Sequence, residues 1–148
     1  LLYDVRQKVG MVFQNPDNQL VATIVEEDVA FAPENMGIPQ PEIRQRADDA
    51  LKQVDMYEYR EHAPHQLSGG QQQRTSIARA LINNPSLVLA DEPTGNLDSK
   101  SSEEVMSMLK MCNQSYGHTV IMITHNLDIA KQADRIITIS DGKIVEEA

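Results

Sequence analysis

Leu67-Ser68-Gly69-Gly70-Gln71-Gln72-Gln73-Arg74 is the stretch from which the rest of this chain is read. Ser68 is a good helix N-cap, because its hydroxyl accepts a backbone N–H one turn on. Gly69 and Gly70 bring bare backbone to the helix start, where free N–H groups favour an anion. From Gly70 to Asn83 the spacing predicts a helix with Ile77, Ala80 and Leu81 on one face, stopped by Asn83-Asn84-Pro85. Leu87-Val88-Leu89-Ala90 follows, an apolar run of the kind seen in strands buried on both faces, and it ends in Asp91-Glu92. A turn, a helix, a strand and two carboxylates together suit a phosphate at the helix start and a metal and a water beside the acids.

Working outward, a helix is expected from Ser99, with Val105, Met108, Leu109 and Cys112 in register and Gly117 ending it. Thr119 to Thr124 reads as a second buried strand running into His125, and Leu127 to Ala133 as a short helix. Arg135 to Ser140 and Lys143 to Val145 read as a hairpin with Asp141-Gly142 in its turn. Upstream, Val5 to Phe13 reads as a strand ending at Gln14, and Asn15-Pro16-Asp17-Asn18 as a turn. A helical stretch starts at Thr23, with Glu26, Glu27 and Asp28 early where acids suit the helix dipole, and ends near Asn35-Met36-Gly37. Glu42 to Val54 is an amphipathic helix through Ile43, Ala47, Ala50, Leu51 and Val54, and His62 to Gln66 is a loop. Strands alternating with helices imply a parallel sheet with helical crossovers, and the interval Pro16–Asn83 reads as a helical subdomain.

Composition narrows the function. The chain has 148 residues, enough for one domain with a real core, and 41% are apolar. Thirteen Lys and Arg against 22 Asp and Glu give a net charge of −9, which argues against nucleic acid and against docking on anionic lipid. No apolar run approaches the ~20 residues that span a bilayer, and no secretory signal opens the chain. A cytoplasmic location is expected, peripheral to the cytoplasmic face of the membrane through a partner. Cys112 is the single cysteine and falls on the apolar stripe of its helix, so core packing is expected of it. Met106, Met108, Met111 and Met122 are expected as core filler, and His62, His65 and His118, without metal-ligand spacing, at the surface. Leu1 in place of Met, and a strand-like segment almost from the start, are read as truncation.

Taken alone, Ser-Gly-Gly is an ordinary capped turn, an Asp-Glu pair is two solvated acids, and a His at a strand end is more often structural. The order of all these motifs resembles the ATP-binding subunits of ABC transporters, whose signature reads Leu-Ser-Gly-Gly-Gln. The resemblance covers nearly the whole chain. It implies an α/β fold of the P-loop NTPase type, with an incomplete parallel sheet, helical crossovers and an α-helical subdomain. Residues 1–15 would then end the catalytic core with the Q-loop. Residues 16–84 would hold the helical subdomain and signature, and 85–148 the core with the Walker B motif, D-loop and switch histidine. By the same resemblance, Ser68, Gly69, Gly70 and Gln71 contact the γ-phosphate of ATP held by an opposite subunit. Asp91 helps hold Mg²⁺, Glu92 polarises the attacking water, and His125 contacts the γ-phosphate and orients Glu92. Gln14 senses Mg²⁺ and water, and Asn96-Leu97-Asp98 is the D-loop that communicates across the dimer. ATP and Mg²⁺ are the implied cofactors. The implied partners are a second ATPase subunit, identical or not, and transmembrane permease subunits docking on Ala22–Asn35.

A P-loop needs Gly-x-x-x-x-Gly-Lys-Ser/Thr, and the only Gly-Lys here, Gly142-Lys143, is followed by Ile144 in the hairpin. The 148 residues alone are therefore expected neither to bind ATP tightly nor to hydrolyse it, and the sheet should present an unpaired apolar edge. Val9 to Gln19 and Glu26-Glu27-Asp28-Val29-Ala30-Phe31 resemble the energy-coupling factor ATPases of vitamin and metal-ion uptake. Leu67 to Asp98 resembles the lipoprotein-releasing and macrolide-export ATPases. Two other readings stand beside the transporter ATPase. One is a non-transport ABC-type ATPase, disfavoured by the short interval between Gln14 and Leu67. The other is a non-catalytic remnant that binds partner subunits, favoured by the missing P-loop.

Overall fold

The computed structural model describes residues 1–16 and 20–148. Asp17, Asn18 and Gln19 lie outside the described residues, and with them half of the expected Asn15–Asn18 turn and the end of the Val9–Gln19 resemblance.

The strand Leu87–Asp91 (β2) lies at the centre of a three-stranded parallel sheet, between Val9–Val12 (β1) and Thr119–Ile123 (β3). The register pairs Val88 with Gly10 on one side and with Val120 on the other. Parallel neighbours need crossovers, and the chain supplies them as helices. Val25–Asn35 (α2), Gln40–Gln53 (α3) and Gly69–Leu81 (α4) join β1 to β2, and Ser99–Gln114 (α5) joins β2 to β3. Between α3 and α4 the chain makes short 3-10 turns at Tyr57–Tyr59 and at Pro64–Gln66, the second of them inside the His62–Gln66 segment read as a loop.

The first element differs from expectation. Residues Leu2–Lys8 form a helix (α1) that buries nothing, and the strand begins only at Val9. Val9–Val12 has β2 to pair with; residues 2–8 do not, and their backbone groups close on one another instead, as in Val5 N–H donating to Leu1 O at 3.1 Å. The polar run Arg6-Gln7-Lys8 also breaks the alternation that a half-buried strand requires.

Helices α4 and α5 pack on one face of the sheet, where Val12, Val88 and Ala90 are buried and Val120 and Met122 half-buried. Gly10 permits this seat: a Cβ there would lie 2.4 Å from Ala80 O in the backbone of α4. On the other face, Met11, Ile121 and Ile123 are exposed and Leu87 and Leu89 only half-buried. The sequence reading of β2 and β3 as buried on both faces is thus corrected, because the packed helices cover a single side. β3 is an edge strand, its two isoleucines open to solvent.

α2 and α3 pack on α4, and one apolar cluster runs without a break from Val25, Leu51 and Ile77 to Val88, Val105 and Leu109. The start of α2 is tied down by Val25 N–H donating to His62 O and Glu26 N–H to Arg60 O, each at 2.9 Å, which satisfies donors that a helix start leaves open. Asp28, wholly buried, takes Val21 N–H and Ala22 N–H on Oδ1 at 3.0 and 3.2 Å and so fixes the approach to that helix.

Cys112 is buried as expected. Two other expectations fail. His118 is buried, not superficial: its Nδ1 lies 2.6 Å from Pro85 O and closes the junction between α5 and β3. Met111 points outward from α5, because position 111 falls off the stripe marked by Val105, Leu109 and Cys112. After the short helix Leu127–Ala130 (α6), the strands Ile137–Ser140 (β4) and Lys143–Glu147 (β5) form the expected hairpin. Its turn uses left-handed backbone at Asp141 (φ 50°) and Gly142 (φ 74°), the geometry that suits a tight hairpin.

Candidate functional site

Ser68 caps α4 as its sequence implies. Its Oγ accepts Gln71 N–H at 3.2 Å, and Gln71 Oε1 accepts Ser68 N–H at 2.9 Å, a reciprocal capping box. The Gln71 side chain is therefore engaged in the turn itself. The N–H groups of Gly69 and Gly70, in the first helical turn, have no acceptor within the helix and point out of its positive end. Gly70 has a further use that the sequence does not suggest. A Cβ there would lie 2.8 Å from Ser101 Oγ, so the glycine lets the start of α4 press against the first turn of α5. Gly69 faces Leu97, whose Cδ2 would be 3.5 Å from an added Cβ. The segments expected to be signature and D-loop thus lie side by side.

At the carboxyl end of β2 the chain turns sharply. Glu92 adopts φ 45°, left-handed backbone uncommon for a residue with a side chain, and its N–H donates to Ile123 O at 2.8 Å. That turn aims the carboxylate at the end of β3. Glu92 Oε1 accepts His125 N–H at 2.9 Å and lies 2.5 Å from His125 Nδ1. The imidazole is open to solvent while the Glu92 side chain is mostly covered. A carboxylate so held orients the ring through Nδ1 and leaves Nε2 facing outward.

Asp91 is exposed at the end of β2, and Gln14 stands just past the end of the neighbouring β1. Gln14 Nε2 donates to Asn96 Oδ1 at 3.4 Å, leaving its Oε1 as an acceptor. Gly95 makes room for that amide, since a Cβ at 95 would lie 2.5 Å from Gln14 Nε2. Asp98 caps α5: its Oδ1 accepts Ser101 N–H at 2.8 Å, and that backbone bond, with the Ser101 hydroxyl, holds the carboxyl below its ordinary value of 3.8. No group of three or more His, Cys, Asp or Glu side chains is arranged as a metal cage among the described residues. A hard divalent cation that keeps most of its waters needs only one or two protein oxygens, and Asp91 and Gln14 each carry a side-chain oxygen near adjacent strand ends that could serve.

The structure therefore gathers Gln14, Asp91, Glu92 and His125 along adjacent strand ends, and sets Ser68–Gln71 beside Leu97. One residue the sequence reading passed over is Gln73. It is wholly buried, and its Nε2 donates to Phe13 O at 2.8 Å and Pro93 O at 2.7 Å. The available signal was a polar residue in register with Ile77, Ala80 and Leu81 on the apolar face of α4.

The sequence profile of the ABC transporter family matches residues 2–95. The energy-coupling factor transporter ATP-binding protein EcfA1 of Clostridium perfringens is 59% identical over 146 residues, which are 99% of this chain and 52% of that protein. EcfA1 of Caldanaerobacter subterraneus subsp. tengcongensis is 54% identical over 144 residues, 97% of this chain and 52% of that one. Both matches run through the two halves whose motifs had suggested different branches. The chain spans about half the length of these curated relatives. Among solved structures, cbiO1 of Clostridium perfringens, part of the ABC transporter complex cbiONQ, superposes with a TM-score of 0.89 at 37% identity, covering 96% of this chain and 57% of that one. The ATP-binding cassette MJ0796, solved as a dimer bound to ADP and Pi, superposes with a TM-score of 0.82 at 40% identity, covering 99% and 65%. With its strand-end acids, its capped glycine helix and these matches in agreement, the chain belongs to the ABC transporter family.

Proposed function

We propose that this chain is part of an ATP-binding, ATP-hydrolysing subunit of an ABC transporter of the energy-coupling factor kind. The observation that carries the reading is the Glu92 carboxylate, turned out of β2 by left-handed backbone and held by His125 through both backbone and ring. A carboxylate fixed at the end of a parallel strand is placed to take a proton from a water in line with a phosphoryl group. In this reading Glu92 polarises the water, and the outward Nε2 of His125 reaches the γ-phosphate. Asp91 and Gln14 hold Mg²⁺, which when bound neutralises charge on the phosphate oxygens. The free N–H groups of Gly69 and Gly70 receive the γ-phosphate of ATP bound by a second subunit, so the working form is a dimer. Asn96, Leu97 and Asp98 lie against both the Gln14 loop and the signature, which suits a segment that links the two sites.

The proposed division is residues 1–15 and 85–148 as catalytic core and 16–84 as helical subdomain. The groove between α2 and α3 carries Glu26, Glu27, Glu34 and Asp48 against Arg44, a net acidic lining that suits a basic permease segment near the proposed Ala22–Asn35 docking face. No helix among the described residues is long and apolar enough to cross a membrane, so the permease would hold the subunit at the cytoplasmic face.

The test is Mg²⁺-dependent ATP hydrolysis by the intact gene product. Glu92→Gln should lower kcat by roughly 10²-fold or more while ATP still binds. Hydrolysis indifferent to that substitution would sink the reading.

A further inference from the structure

We infer that Gln73 is a positioning residue, coupling the start of α4 to the two loops that carry Gln14 and Glu92; this deepens the ATPase reading above and rests on it. Its side-chain nitrogen has two protons, and both are used: one on Phe13 O at 2.8 Å, the other on Pro93 O at 2.7 Å. Phe13 immediately precedes Gln14, and Pro93 immediately follows Glu92. A single amide therefore sets the separation of two backbone segments that are 60 and 20 residues away from it in sequence.

The orientation of that amide is dictated. Turned over, it would present Oε1 to two carbonyl oxygens, with no proton between them. As it stands, Oε1 meets no hydrogen-bond donor among the described residues, so the two carbonyls alone fix the group. The site is also dry: Gln73 is wholly inaccessible, and water does not compete for its bonds.

Gln73 rides on the helix that Ser68 caps, within two turns of that cap. The backbone of α4 rests on β1 at Gly10, so the helix moves as a body and not by local bending. A phosphate drawn to the N–H groups of Gly69 and Gly70 displaces or steadies that body. Gln73 passes the displacement to the Gln14 loop and the Glu92 loop together. Engagement of the opposite subunit's nucleotide is thereby linked to the placing of the water-activating carboxylate. Gln73 touches no reactant in this scheme; it acts through Phe13 and Pro93.

The test uses the intact gene product in its dimeric form. Gln73→Leu removes both donors with little change of volume. The expected result is a fall in kcat of about 10-fold or more with KM for ATP within about 2-fold, since geometry at the water is lost and nucleotide binding is not. Gln73→Glu supplies one donor when its buried carboxyl is protonated. Its activity relative to wild type should therefore recover as pH is lowered, which the Leu variant cannot imitate. Amide hydrogen exchange should quicken in peptides spanning residues 13–16 and 92–95 while 74–81 stay as protected as in wild type. If Gln73→Leu fails to fold, the Glu variant carries all three measurements. Unchanged kcat, or exchange that is unaltered at both loops or raised only along α4, overturns the inference. A wild-type protein without ATPase activity would remove the functional reading instead, and the exchange experiment would still decide whether Gln73 couples the loops.

Discussion

Gly10→Ala probes the seat of α4 on the sheet, on which the whole site depends. The added Cβ would stand 2.4 Å from Ala80 O and 3.0 Å from Ala80 C, against 3.4 Å or more for ordinary contact. The obstructing atoms are helix backbone, so no side chain can swing aside. α4 must retreat by about 1 Å, and Ile77, Ala78 and Leu81 lose close packing as it does. Overpacking of a core costs about 1–3 kcal/mol, and with backbone in the way ~2–3 kcal/mol is expected. For a domain of this size that lowers Tm by roughly 5–10 °C. The matched control is Gly37→Ala. Gly37 has φ +73° and nothing within 4 Å of its missing Cβ, so only left-handed strain of about 1 kcal/mol should register there. Chemical denaturation of both variants, read by far-UV circular dichroism, gives the comparison. If Gly10→Ala is as stable as wild type, or loses less than Gly37→Ala, α4 is not seated on β1 as described.

Two further outcomes follow from charge and burial. Asp98 has its pKa held below 3.8 by the Ser101 bonds, so its contribution is present above that pH and is lost as pH falls through the lower folded value; Asp98→Asn should remove this part of the acid sensitivity, measured by denaturation midpoints between about pH 5 and pH 2. Burial pushes the Cys112 thiol up to about 11 from 9.0, so stability should fall as pH rises from 9.0 towards 11, and a thiol reagent should label Cys112 at the rate of unfolding; rapid labelling of the native protein would contradict its burial.

The parts of the site that the sequence reveals are those made by near neighbours. Ser68 with Gln71 and Asp98 with Ser101 are caps written within three residues, and Leu87–Asp91 announces a strand by composition. What the sequence hides depends on distant chain. Nothing near Gln73 says that its amide spans to Phe13 and Pro93. Nothing near Gly10, Gly70 or Gly95 says that a helix carbonyl, a serine and a glutamine amide occupy the space where a Cβ would be. The same cause explains the misreadings. Val5 to Lys8 reads as the start of the strand because it runs straight into Val9-Gly10-Met11-Val12-Phe13, but β2 offers a partner only from Val9 onward. His118 is polar and near a turn, yet Pro85 O supplies the acceptor that lets it be buried. β3 looks like an interior strand because isoleucine, valine and methionine do not record whether one face or two are covered.

The backbone of Glu92 bears on how variants that test its proposed role should be chosen. At φ 45° a glutamate side chain is held against a steric penalty of about 1–2 kcal/mol, which glycine would not incur and asparagine would incur less. Glu92→Gly or Glu92→Asn would thus remove the carboxylate and relax the turn at once, so relief of strain would offset the loss of its bonds to His125 in the melting temperature. Glu92→Gln keeps the strained turn and changes only the charge. Thermal shifts compared across substitutions at this position therefore report conformational relief mixed with chemistry, and the glutamine variant is the one in which the two stay apart.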